Sequence, residues 1–321
     1  MAPKASAAKN GKARSGNTAK NEKDDETEMP KILKFWRTLY RSLPHTGSFD
    51  VSLTICTVLF LSFLRVVIFQ NILTHVFDWP SAAETASVTK NAAASMISIF
   101  HSVNLVPALV VAFSVQGYLP YSQRLDAASQ AWQDAVTALL QFCTGYMVYD
   151  GIFIILEGIY DEDGLDGADY MFLGHHLATS LYMSSTRIIG AGHMSAMMCM
   201  FLGELTNPLQ NSFYIAGYAM TLDNHGPTTE TMHFWIELVF SVAYFIMRSF
   251  IGPAVCLHMT FDLWKNGRKT IPIIFLCIWS FLIWAVIIGS IPWIQSSWDV
   301  MVKFYNSHIL PAMGAPSSQE L

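Results

Sequence analysis

The stretch FLGHHLATSLYMSSTRI, residues 172–188, decides the fold. It is long and apolar enough to read as a membrane helix, yet it carries His175, His176 and Arg187 where hydrocarbon favours leucine. An ionisable side chain at membrane depth costs several kcal/mol on insertion scales, so it faces the bundle interior and needs polar partners on other helices. The reading therefore turns on two questions: whether the segment spans a bilayer, and which groups would meet the histidines.

Composition answers the first. Of 321 residues, 52% are hydrophobic, 13% aromatic and 13% charged, and the mean hydropathy is +0.35. A soluble domain carries about a quarter charged residues, so this balance indicates a polytopic membrane protein. A spanning helix needs about 20 mostly apolar residues. Seven stretches qualify, at residues 51–73, 93–115, 135–157, 170–189, 194–219, 234–258 and 273–293. No recurring ten-residue alternation suggests a membrane barrel. The expected fold class is all-α integral membrane, with seven transmembrane helices. The five cysteines all fall inside these stretches and contain no CxxC, so they read as small apolar filler.

Residues 1–29 are low in complexity, lack aliphatic anchors and are expected to be disordered. No short apolar core follows Met1, so a cleavable signal peptide is not expected. The Ala/Lys/Ser/Arg mix resembles a transit peptide in composition but lacks an amphipathic apolar face. Within residues 30–48, Ile32, Leu33, Phe35, Trp36, Leu39 and Leu43 follow helical spacing, with Lys34, Arg37 and Arg41 between them. This predicts an amphipathic helix, either lying in the interface or packed on the bundle. A first transmembrane helix follows at 49–75, and a short tail is expected at 306–321. Ten of the nineteen Lys and Arg residues lie in 1–41. With that end cytosolic and seven spans, Arg124, Lys265, Arg268 and Lys269 share its side, leaving Lys90, Lys303 and the acidic loop 160–170 opposite.

Ionisable residues inside the spans include Arg65, His101, Asp150, His175, His176, Arg187, Glu204, Glu237 and Arg248. Asp150 shares a face with Tyr146 and is expected to pair with a histidine or, structurally, with Arg65 or Arg248. His175 and Thr179 are one turn apart, and His176 shares a face with Thr179 and Ser180. Adjacent helical residues point about 100° apart, so the two histidines are poorly placed to chelate one metal, and no metal site is expected. Imidazoles that are neutral near pH 7 suit proton handling. In GELTNPLQN, Pro208 frees the carbonyl of Glu204 and is expected to kink the span, with Glu204 and Asn207 on one face. His101 and Asn104 share a face before Pro107, which predicts a second kink.

The order HS in the second span, GYMVYD in the third, HHLAT in the fourth, ELTNPLQN in the fifth and FIMRSF in the sixth resembles the TLC-domain family (TRAM/LAG/CLN8-like) over residues 89–305. That resemblance implies six core helices preceded here by one more, and residence in the endoplasmic reticulum. In the ceramide synthases of the family the double histidine is the centre of acyl transfer from acyl-CoA to a sphingoid amine, and those positions match His175 and His176. Where the ceramide synthases carry a His-Asp pair and a second Asp before the glutamate, this chain has Ala196, Met197 and Met200. It therefore resembles the lipid-homeostasis branch more than the synthases.

Three functions are carried forward. The first is a lipid-homeostasis protein that binds an acyl lipid in a polar-lined intramembrane site. The second is an acyl-CoA-dependent sphingoid-base N-acyltransferase. The third is a non-enzymatic cargo receptor or translocon accessory of the endoplasmic reticulum. The candidate catalytic residues are His175 and His176, supported by Asp150 and Glu204. The candidate lipid contacts are His101, Tyr146, Thr179, Asn207 and Arg248. No cofactor is expected, and acyl-CoA enters only as a substrate. The expected partners are membrane lipids or fatty acyl chains, with a homodimer as the assembly and no nucleic acid. Tags at residue 1 and within 265–269 are expected to be equally accessible to protease from the cytosolic side; opposite protection would overturn the seven-span count.

Overall fold

A computed structural model describes residues 29–45, 49–81, 86–117, 120–160, 164–223 and 225–312. The expected disorder of residues 1–28 lies outside the described residues, as does residue range 161–163 of the acidic loop. Among the described residues the chain is helical, with one isolated antiparallel bridge between Arg124 and Ala191.

The first helix, α1 (Lys31–Ser42), buries Leu33 and Trp36, the latter ring lying 4.7 Å from Phe142. Arg37 is buried beside them rather than in a polar interface, facing Asp134 at 3.7 Å, while Arg41 Nε reaches the same carboxylate at 2.6 Å. The amphipathic helix is thus packed on the bundle. Next comes α2 (Ser52–Val76), whose middle is a π-helical turn, Leu64–Phe69. Its N-terminus is held by Asp50, which accepts from the Ser52 amide and hydroxyl. Burial alone would raise the Asp50 carboxyl, but hydrogen bonds from Ser52, His45 and Gln141 prevail and hold it down at about 2.

The third helix, α3 (Ala86–Gln116), continues through Pro107 without interruption. The next, α4 (Gln130–Tyr160), is the hub and packs against α1, α2, α3 and α5. An Asp166–Asp169 capping box opens α5 (Gly167–Ile189), and Gly190, at φ 67°, closes it. The left-handed geometry suits glycine, which has no Cβ to clash. The expected single kinked fifth span is instead two helices, α6 (His193–Glu204) and α7 (Asn207–Met220), with Pro208 in the first turn of α7. Proline has no N–H to continue the ladder but fits a helix start, so the helix breaks rather than bends. Finally, α8 (Pro227–Lys269) contains a second π-helical turn, Met247–Ile251, and α9 (Ile273–Ile309) is interrupted at Ser290. Residues 306–312 therefore continue a helix rather than forming a tail.

All seven expected segments are helical. Among the described residues five helices, α2, α3, α4, α8 and α9, are by themselves long and apolar enough to cross a membrane. Despite its 23 residues, α5 is too polar to qualify, and α6 and α7 have only 12 and 14. Those three helices carry the double histidine and the ELTNP break. At one end of the bundle Arg41 meets Asp134, Ala191 bridges Arg124, and Asp262 accepts from the Ser122 amide and hydroxyl. This end gathers α1, the Arg124 loop and the segment leading to Lys265 and Arg268.

Lipid is as apolar as leucine, so helices in a bilayer associate through close packing rather than through exclusion from water. Gly145 of α4 supplies such a contact. A Cβ there would lie 2.6 Å from Thr57 Cβ and 2.9 Å from the Thr54 carbonyl. Gly145→Ala is expected to force α2 away from α4 and to destabilise the protein by about 1–3 kcal/mol. Gly174→Ala, where no atom would crowd the new Cβ, is expected to be neutral or stabilising. Thermal unfolding of both variants in detergent checks the pair of outcomes.

Candidate functional site

Glu204 is the last residue of α6, and its side chain is buried. Its Oε2 accepts from Ser102 Oγ at 2.6 Å and Asn207 Nδ2 at 2.8 Å, and lies 3.3 Å from His101 Nδ1. A carboxylate can only accept, so the His101 contact assigns the proton to Nδ1. His101 in turn stacks on Tyr146, ring centroids 4.0 Å apart. The Tyr146 hydroxyl donates to Ser98 Oγ at 2.9 Å, and Asn211 Nδ2 donates to the same oxygen at 3.0 Å. One polar network thus links α3, α4, α6 and α7.

The double histidine divides. His176 Nε2 donates to Asp150 Oδ2 at 2.8 Å, while its Nδ1 lies 3.0 Å from Met147 Sδ. Met147 and Asp150 stand one turn apart on α4 and hold both edges of the ring. His175 points elsewhere and has no hydrogen bond among the described residues. The carboxylate beside His176 is Asp150 alone, and Glu204 orients His101 rather than either member of the pair. Arg65 is not the partner of Asp150. It pairs with Glu157 at 2.5 Å and lies over the Phe153 ring at 4.4 Å. Arg248 lies over Tyr244 at 5.4 Å.

These groups border a cleft of about 530 Å³ lined by helices α2 to α9, where Tyr146, Asp150, His175, His176, Glu204 and Asn207 meet. A narrower pocket of about 70 Å³ adjoins it, with Met147, Met183, Met200, Cys143, Cys199 and Cys256 in its wall. His175, Glu204 and Arg248 belong to both walls. Thr179 faces the narrow pocket rather than the cleft. His101, expected to touch lipid, is fully buried behind Glu204 and borders neither space, because Phe142 and Tyr146 cover its ring. Among the described residues no three His, Cys, Asp or Glu side chains gather as a metal site would require.

A family model of the TLC domain matches residues 91–299. The chain belongs to the TLC-domain family. The TLC match begins within α3 and ends within α9, so it takes in every residue of both polar clusters; Arg65, on α2, lies outside it. No curated protein and no solved structure matches the chain.

The sequence reading missed Ser98, Ser102 and Asn211. Their spacing held a signal: Ser98, His101 and Ser102 stand at i, i+3 and i+4, and Asn207 and Asn211 at i and i+4, so each set shares a helix face. The pairing of Glu157 with Arg65 joins residues 92 apart in the chain, which helical spacing does not reveal. The two histidines are expected to differ in reactivity. Diethyl pyrocarbonate should modify His175 well before His176, and Asp150→Asn should speed modification at His176. Peptide mass spectrometry reads both, and equal rates in the wild type would contradict the assignment.

Proposed function

We propose that this TLC-domain protein holds a membrane lipid or fatty acyl chain in the cleft and acts in lipid homeostasis, as an integral protein of the endoplasmic reticulum with a cytosolic N-terminus. The observation that carries the reading is the shared wall of His175, Glu204 and Arg248 between a polar cleft and a thioether- and thiol-lined apolar pocket. An amphiphile has those two parts. Methionine side chains are flexible and polarisable, so a pocket built from them can adapt to a chain larger than its resting volume.

A second reading, acyl-CoA-dependent N-acylation of a sphingoid base, is favoured by the Asp150–His176 pair at 2.8 Å. There His175, the histidine with an open ring edge, would take a proton from the amine as it attacks the thioester carbonyl. The C–N bond would form, the C–S bond would break, and the thiolate would leave with a proton. Against it stand Ala196, Met197 and Met200. They occupy the places where the ceramide synthases carry polar and acidic side chains, and here they are buried, Met200 in the wall of the apolar pocket. An orienting carboxylate can be worth about 10⁴ in rate, and thioethers cannot replace it.

Lipid mass spectrometry of a knockout, complemented with wild type or with His175→Ala/His176→Ala, tests the first reading. The wild type should restore the lipid profile and the double variant should not; a fully restoring double variant would overturn it. Purified protein given acyl-CoA and sphinganine should form little or no dihydroceramide. Turnover that vanishes in His175→Ala would put the acyltransferase reading first.

A further inference from the structure

Four carboxylates border the cleft, and each is engaged elsewhere. Asp150 accepts from His176, Glu204 from His101, Ser102 and Asn207, Glu157 from Arg65, and Asp169 belongs to the capping box of α5. Two arginines border the same cleft, and both sit in π-helical turns. Such turns are rare within helices and occur frequently at functional sites. Arg65 is neutralised by Glu157. Arg248 is not: it has no hydrogen bond or ion pair among the described residues, and its buried Nε lacks an acceptor. Its one contact of this kind is the face of Tyr244. A guanidinium within a bundle at membrane depth is costly unless an acceptor meets it.

We propose that Arg248 is the counterion for an anionic headgroup. The cleft takes an amphiphile whose carboxylate or phosphate lies against the Arg248 guanidinium and whose acyl chain enters the pocket lined by Met183, Met200, Cys199 and Cys256. The inference rests on the lipid-holding reading above and narrows it to one headgroup chemistry. Position supports this, because Arg248 stands on the wall common to the cleft and the apolar pocket, where the head of a lipid would meet its chain. Chemistry supports it too. The planar fork of arginine matches the paired oxygens of a carboxylate or phosphate. A cationic head would be repelled there, and a neutral one would leave the guanidinium without a charge partner.

The test uses the full-length protein in phosphatidylcholine nanodiscs and three probes with one shared chain: oleate, oleoyl lysophosphatidic acid and mono-oleoylglycerol. The wild type should bind both anions about tenfold or more tighter than the neutral probe, a difference easily read in dissociation constants. The stronger of the two anions identifies carboxylate or phosphate as the preferred source. Arg248→Gln should abolish the preference and Arg248→Lys should retain part of it, with monodisperse elution and an unchanged melting temperature as the check on folding. An Arg248→Gln protein that keeps the anion preference would overturn the inference and leave the lipid-holding reading intact. Equal binding of all three probes by the wild type would do the same. Absence of saturable binding for every probe would overturn both.

Discussion

A carboxylate inside a membrane bundle must be met by donors, and at Glu204 the donors come from other helices. Ser102 and His101 belong to α3 and Asn207 opens α7, so one oxygen fixes the junction of α6 and α7 against α3. Removing a partner from a buried charge costs more than the hydrogen bond itself contributes, because the group left behind stays desolvated. The helix break serves the same end. With α6 ending at Glu204, Asn207 begins a new helix while still reaching back to the carboxylate. One turn along α3, Ser98 extends the network to α4 through Tyr146 and to α7 through Asn211. The wall of the cleft is the product of these constraints.

The adjacent histidines show how one turn of helix yields two roles. Side chains at consecutive positions diverge by about 100°, so the groups that hold His176 cannot also hold His175. Asp150 accepts from Nε2 of His176, and Met147 Sδ lies against the other edge of its ring. His175 is left bordering both the cleft and the apolar pocket. The pair combines a positioned imidazole with an available one, and the available one stands between polar and apolar surroundings.

Much of this was legible in the sequence. The seven apolar stretches read from the sequence all fall on helices, the fifth of them on two, and helical spacing placed Tyr146 with Asp150 and Glu204 with Asn207. What remained hidden has physical causes. Which histidine meets Asp150 depends on the rotation of α5 against α4, a packing outcome set by contacts between those two helices, such as Leu173 against Gly151, rather than by composition. His101 reads as a ligand-facing group because it is polar and mid-span, yet the stack with Tyr146 turns it away from the cleft. Pro208 signals a disturbance in either case, whether the helix kinks or breaks there. Arg37 lies on the buried face because Asp134 is there to receive it, and 97 residues separate the two along the chain.

The π turn at Met247–Ile251 bears on how such a site can diversify. A turn of this kind accommodates an extra residue locally, so the helix on either side keeps its faces aligned with its neighbours. Loss of one residue there would let α8 relax to regular winding with little disturbance to α7 or α9, yet it would remove or redirect the position that Arg248 occupies. The charge of the cleft can therefore change by a single insertion or deletion while the bundle around it persists, which uncouples that charge from the stability of the fold.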